Sequence, residues 1–228
     1  MKIVGIVPAA GYATRLQPLS CSKEVYPIDG KPVMDYLLER MRAADCDEIR
    51  IVTRPKKHDV ISNSTKRGAI VVLGHPDSLG ESIALGLEGV SDEDVALLGF
   101  PDSIWQPVDG FVSLIAALRD DREVALGLFG AALGQPCDAV FLDGRDRVRR
   151  IEVKARSARV FWGCAAARVS TLRAVQGWHD PGYFLDAIAK RGSVAAIKLS
   201  DSYVDIGTRH ALDSLMTPGG EPNVDMHD

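Results

Sequence analysis

The residues best suited to chemistry stand in three short stretches. The first, Pro8 to Lys23, reads PAAGYATRLQPLSCSK. Small side chains at Ala9, Ala10, Gly11 and Ala13 let a ligand approach the backbone closely. Free N–H groups in such a loop, which also carries Tyr12 and Thr14, can cradle phosphate oxygens. Arg15 adds a planar fork able to hold two of those oxygens, and Lys23 adds a compact point charge, so the stretch forms an anion site. The second stretch, VALLGFPDS, ends an apolar run in Pro101 and Asp102; the third, SYVDIGT, sets Asp205 between Val204 and Ile206. A carboxylate just past an apolar strand is well placed to hold Mg²⁺, which takes oxygen ligands and keeps several waters. Plainer roles exist for both acids, a turn after Pro101 for Asp102 and a helix N-cap for Asp205.

Other chemistries fit poorly. The sequence has no GxxxxGK[ST] and no GxGxxG after its first apolar run, which disfavours a P-loop NTPase and a dinucleotide enzyme. Cys21, Cys46, Cys137 and Cys164 form no CxxC or zinc spacing and read as the reduced thiols of a cytoplasmic protein. His58, His75, His179, His210 and His227 make no triad pattern with a serine or cysteine.

These stretches need a scaffold. The chain has 228 residues, 46% hydrophobic and 25% charged, with a net charge of −4, enough to bury one sizeable core. The charge argues against a nucleic-acid partner, and no apolar run is long enough to cross a membrane. Apolar runs at Lys2–Val7, Ile49–Thr53, Ala69–Leu73, Asp94–Leu98 and Glu123–Phe129 read as strands. Helical spacing follows Pro32 and spans Lys57–Arg67, Ser78–Leu87 and Asp109–Leu118. Strands alternating with helices predict a wound α/β sheet with right-handed crossovers, a Rossmann-like mixed sheet flanked by helices. The second half is richer in strands. Ala139–Leu142, Val148–Val153 and Val160–Ala166 read as short antiparallel elements, Val169–Val175 and Gly182–Ala189 as helices, Val194–Leu199 as a strand and Thr208–Leu215 as a last helix. Residues 1–216 are expected to form one domain, with a small antiparallel subdomain over about 130–200, and residues 217–228 a mobile tail. In such sheets ligands sit beyond the carboxyl ends of the strands, where the loops after the first and fourth strands lie.

Pro8 to Leu16 with Pro18, Ser22-Lys23-Glu24 and Gly30-Lys31-Pro32 resembles the sugar-1-phosphate nucleotidylyltransferases, the nucleotide-sugar pyrophosphorylases similar to glucose-1-phosphate thymidylyl- and uridylyltransferases. Ala13 replaces that family's second glycine. The resemblance implies that Ala9 to Thr14 line a nucleotide site together with Pro101. It implies that Arg15 holds the triphosphate, that Lys23 contacts the reacting phosphate, and that Asp102 and Asp205 hold catalytic Mg²⁺. Gly80, Glu81 and Ser82 fall where the family reads the base edge, with Glu81 able to accept a base donor or merely to favour a helix N-terminus. Lys154 matches the family's lysine for the sugar phosphate. The neighbouring family Glu has become Val153, and Glu152 stands one residue early. Trp162-Gly163 resembles a family glycine strand on the sugar side.

The implied reaction is Mg²⁺-dependent transfer of a nucleotidyl group, from dTTP or UTP, to a sugar 1-phosphate, giving NDP-sugar and pyrophosphate. The same fold serves cytidylyltransferases acting on choline phosphate or another small phosphate. A third reading is a catalytically silent homologue that senses a nucleotide sugar. The partners are an NTP and a phosphorylated small molecule; a homo-oligomer stays open.

Overall fold

The structure, a computed structural model, describes residues 1–131, 136–144, 146–207 and 212–213. Its strands are β1 (Ile3–Pro8), β2 (Pro27–Ile28), β3 (Lys31–Pro32), β4 (Glu48–Thr53), β5 (Ile70–Leu73), β6 (Val95–Gly99), β7 (Ser103–Trp105), β8 (Val124–Gly130), β9 (Cys137–Leu142), β10 (Val148–Ala155), β11 (Val160–Arg168), β12 (Val194–Ser200) and β13 (Tyr203–Asp205). Its helices are α1 (Val33–Ala43), α2 (His58–Lys66), α3 (Leu79–Gly86), α4 (Gly110–Ala117), α5 (Val169–Leu172) and α6 (Pro181–Ala189), with 3₁₀ turns at Lys23–Val25 and Arg173–Gly177. The expected helix at Thr208–Leu215, apart from Leu212 and Asp213, and the expected tail at 217–228 lie outside the described residues.

The apolar run of β1 forms the middle of a parallel unit, pairing with β4 on one side and β6 on the other, while β5 pairs beyond β4. Strands of this kind are covered on both faces and so carry continuous rather than alternating apolar sequence. The sheet then turns antiparallel: β11 pairs with β6 and, on its other edge, with β8, which pairs in parallel with β12. The β9–β10 hairpin joins at Phe161 opposite Ala139. The fold is therefore the mixed, wound sheet that the strand–helix alternation implies. Val160–Ala166 is antiparallel as expected, but longer: it begins a nine-residue, largely buried strand between β6 and β8. Its Ala-rich run suits a position flanked by strands on both edges and covered on both faces.

One face packs Val4, Ile6 and Leu98 against α3, α5 and α6; the other packs Val7, Ile51 and Leu97 against α1, α2 and α4. In α1, Val33, Met34, Leu37, Leu38 and Met41 repeat at helical spacing and are buried.

A second change lies in the stretch Gly99–Gln106, read from sequence as loop. Its end folds as β7 and pairs antiparallel with β13, Asp205 opposite Ser103. Arg40 of α1, itself 2% exposed, holds this ribbon by donating to the carbonyl of Trp105 and lying 4.9 Å from its ring centroid. Burial, ahead of its charged neighbours, pushes that guanidinium down to about 10.

Tyr203 packs on Phe129 and Phe161, with ring centroids 4.8 and 5.0 Å away. Gly163 makes this fit feasible, because a Cβ there would stand 2.4 Å from the Tyr203 ring and 2.9 Å from that of Phe129. Gly163→Ala should therefore displace Tyr203 and the start of β13. The expected cost is about 1–3 kcal/mol, read as a lower urea midpoint with an unchanged slope; an unchanged midpoint would show that the ring yields freely.

Candidate active site

A cleft of about 700 Å³ opens beyond the carboxyl ends of β1 and β6. It gathers Gly11, Tyr12, Arg15 and Lys23 from the first loop, Pro101 and Asp102 from the second, and Tyr203 and Asp205 from β13. Lys23 pairs directly with Asp102. The ribbon brings Asp205 alongside, since Ile206 N–H donates to the carbonyl of Asp102 at 3.0 Å. Asp205 caps no described helix; its Oδ1 accepts from the amide of Gly207 at 2.6 Å, two residues on.

The electrostatics follow from this crowding. Burial alone would lower Lys23, but contact with Asp102 outweighs it, so its pKa is raised. Asp205 is raised, first by the protein mass around it and then by the charge of Asp102, against the pull of the Gly207 amide, Lys23 and Arg15. Burial, with Asp102 and Asp205 near, lifts the Tyr203 phenol well above its ordinary value. Two adjacent carboxylates with excess negative charge form an oxygen-only donor set that fits Mg²⁺ held with waters and phosphates. No group of three metal-ligating side chains occurs among the described residues, so protein ligands alone would not complete a shell.

The small-residue loop is held from behind by a set of side chains that sequence reasoning missed. Lys57 Nζ donates to the carbonyls of Ala9 (2.9 Å) and Gly11 (3.1 Å) and pairs with Glu24 at 2.7 Å. Thr53 Oγ1 donates to the carbonyl of Ala9, and Arg54 Nε to that of Ala10. Arg54 also donates to the carbonyl of Pro76 at 2.6 Å and lies 4.4 Å from the Tyr12 ring centroid. Asp59 takes both the amide and the hydroxyl of Ser22. Burial would raise Asp59, but these donations hold it below the usual carboxylate range. With the loop carbonyls drawn back this way, Lys23 and the loop are fixed relative to each other. Glu24 is fully buried, and desolvation raises its pKa despite Lys57. The signal for this set was the basic run Arg54 to Lys57 at the carboxyl end of β4, the edge where ligands bind in such sheets.

Ala13, where the resembled family has glycine, adopts φ +50°. That left-handed conformation explains the glycine preference, and an alanine there carries backbone strain of about 1 kcal/mol. Ala9 and Ala10 are buried, Ala10 on the cleft wall and Ala9 behind it; Ala13 and Thr14 also lie outside the lining.

The remaining candidates separate. Gly80 is buried at the start of α3, where a Cβ would strike the carbonyl oxygen of Trp178 at 1.8 Å, so it serves helix packing. Glu81 is exposed and helps to cap α3: its amide donates to Ser78 Oγ at 3.0 Å, and its carboxylate accepts from the Asp77 amide at 2.8 Å. Trp162 lines the cleft, whereas Gly163 behind it accommodates Tyr203. Glu152 pairs with Arg150 at 3.2 Å, outside the lining. Lys154 has φ +56° and its ammonium lies 3.6 Å from Asp180, with 72% of the side chain exposed. The wall beside it carries Asp138, His179 and Asp180, none of them found from sequence. Asp138 accepts from the Lys154 amide and Trp162 Nε1. Burial, ahead of the charge of Asp180, nonetheless raises its pKa.

Residues 5–164 match the MobA-like NTP transferase domain. The chain belongs to that family. Among curated relatives of this chain, a glucose-1-phosphate thymidylyltransferase of Mycobacterium tuberculosis is 27% identical over 103 residues, 41% of this chain and 36% of that protein. A low-salt glycan biosynthesis nucleotidyltransferase of Haloferax volcanii is 27% identical over 139 residues, 57% of this chain and 36% of that protein. The chain thus spans little more than a third of either relative. A crystal structure of UDP-glucose pyrophosphorylase complexed with UDP-glucose superposes with a TM-score of 0.76 at 16% identity, over 94% of this chain and 97% of that one. At that identity the likeness concerns the fold.

Breaking the buried pair should separate folding from loop geometry. Lys57→Met alone leaves Glu24 buried without its partner and should cost about 3–5 kcal/mol. Adding Glu24→Leu should restore most of that stability without restoring the bonds to Ala9 and Gly11. Urea midpoints of the two variants check it; equal loss in both would mean that the pair is not what holds the loop.

Proposed function

We propose that this NTP transferase moves a nucleotidyl group from an NTP to the phosphate of a sugar 1-phosphate, releasing pyrophosphate. The observation that carries this reading is the convergence of Arg15, Lys23, Asp102 and Asp205 on one cleft edge behind a braced small-residue loop. The activities named for the two curated relatives support it.

In this reading the loop amides and Arg15 bind the triphosphate. An oxygen of the acceptor phosphate attacks the α-phosphorus and forms a new P–O bond. The bond from that phosphorus to the bridging oxygen breaks, and pyrophosphate leaves with the electron pair. The acceptor is already an anion at neutral pH, so no strong base is needed. The obstacle is repulsion between two anions, which Arg15 and Lys23 offset by fixed positive charge. Asp102 and Asp205 would hold Mg²⁺, which would supply further charge neutralisation on the phosphates. Orientation of both substrates in one cleft contributes the rest. Lys154 meets the acceptor phosphate from the rim, where its exposed ammonium exchanges the contact with Asp180 for the phosphate.

A second acceptor class is favoured by one observation: Asp138 and Asp180 share their wall with Trp162, whose ring packs at a tilt on that of Phe100, centroids 5.5 Å apart. Carboxylates beside aromatic faces suit a cationic head group such as that of choline phosphate.

A pyrophosphate-release screen of all NTPs against sugar 1-phosphates and choline phosphate decides among these readings. Release with a sugar 1-phosphate supports the first, release with choline phosphate the second, and none with any pair favours a silent binding protein. With an active pair, Asp102→Asn and Asp205→Asn should each lower turnover by at least about a hundredfold while leaving the fold intact, and chelation of Mg²⁺ should abolish it. Near-native rates in both variants at limiting Mg²⁺ would remove the carboxylates from the reaction. Arg15→Lys, which loses the bidentate fork, should lower turnover more than it weakens binding of the finished NDP-sugar.

A further inference from the structure

The two ends of the sheet are finished differently. β10 closes one end, and its exposed positions hold Arg149, Arg150, Glu152 and Lys154, with a bulge between Glu152 and Ala155. Charges and bulges of this kind keep an edge strand from pairing with another chain. β5 closes the other end and carries no such guard. It reads Ile70-Val71-Val72-Leu73, with Ile70 45% and Leu73 53% exposed. No strand pairs on its outer edge among the described residues.

The register decides which groups that edge offers. The amide of Gly74 donates to the carbonyl of Thr53 at 3.1 Å, so it points at β4. Backbone groups alternate in direction along a strand. Ile70 and Val72 therefore also face β4, while Val71 and Leu73 turn their N–H and C=O groups outward. An antiparallel strand centred on Val71 meets these groups with identical ones. Val71 then stands opposite Val71, Ile70 opposite Val72 and Leu73 opposite Ala69, so apolar side chains meet on both faces of the sheet.

Charge selects the same arrangement. Lys66 ends α2 shortly before β5, and Asp77 lies shortly after it. Both are exposed, and neither forms an ion pair among the described residues. Antiparallel pairing of two copies brings Lys66 of each towards Asp77 of the other, whereas parallel pairing brings like charges together.

We propose that β5 is the interface of a two-fold homodimer, in which the sheets of two copies join edge to edge. Four residues a side are too few for the roughly 1,000 Å² that a specific interface buries, so the contact includes Lys66 and the loop 74–77, and the dimer is weak and concentration-dependent. A two-fold contact closes on itself, using up the unguarded edge of each copy. Pro76 and Asp77 also line the cleft, so Lys66 of each copy stands at the rim of the other's site.

Sedimentation velocity across a wide range of protein concentration tests this. The unaltered chain should pass from monomer to dimer, with the amides of Val71 and Leu73 exchanging more slowly with deuterium in the dimer. Leu73→Lys, at an exposed position, keeps the fold and should raise the dimer dissociation constant at least about tenfold. Lys66→Glu should do likewise by setting two acids together, and adding Asp77→Lys should restore the dimer. A chain monomeric throughout, an assembly larger than a dimer, a dimer that withstands both Leu73→Lys and Lys66→Glu, or no recovery in the double exchange would each overturn the proposal. Slow exchange of the two amides in a monomer would overturn it as well, because the chain's own residues would then cover the edge. None of these results bears on the transfer reading.

Discussion

The ammonium of Lys57 is bonded to the carbonyls of Ala9 and Gly11 and to Glu24, and much of the cleft takes its position from that point. Loops ordinarily lie on the surface and move. This one is held because a buried charge has to be compensated, and the compensating groups belong to two segments separated by a long stretch of chain. A buried ion pair contributes little to stability on its own, since desolvation offsets most of the attraction. Its worth here is positional: Glu24 follows Lys23, so the pair that braces the loop also sets the lysine that faces Asp102.

The second constraint is the β7–β13 ribbon. Two carboxylates side by side repel, and an isolated loop would relax them apart. Here antiparallel pairing fixes Asp205 opposite Ser103, next to Asp102. Beneath it, Tyr203 fills the space left by Gly163, and Arg40 holds the carbonyl of Trp105. Burial, and after it the charge of Asp102, raises the pKa of Asp205. A site loaded in this way favours a cation or a cationic side chain, and Lys23 already occupies one side of it.

How far the sequence foretold this depends on what each residue's part is made of. The wound sheet was legible because buried parallel strands need continuous apolar runs, as in Ile3–Pro8 and Val95–Gly99. Arg15, Lys23, Asp102 and Asp205 could be picked out because each follows an apolar strand or a small-residue loop. The bracing set left only one trace, the basic run Arg54 to Lys57 after β4: Lys57, Glu24 and Arg54 act through carbonyls and partners distant along the chain. Glu81 misled because an acid early in a helix has two uses, and only geometry shows that the Asp77 amide takes it. Gly163 and Gly80 misled similarly. Each is a glycine because a ring or a carbonyl occupies the place of its Cβ. Asp138 and Asp180 carried no pattern, since their meeting depends on how α6 sits over the β9–β10 hairpin.

The ribbon also bears on the order in which the molecule assembles. The phosphate loop, its braces and Asp102 all lie in the first half of the chain, whereas Asp205 enters from the far end, after β12. Contacts so distant along the chain form against a large loop-closure entropy and tend to come late in folding. A chain still emerging from the ribosome therefore presents its anion-binding loop well before its second carboxylate. Assembly thus runs from the small-residue loop to the paired acids, and the cleft edge is complete only when the far end of the chain arrives.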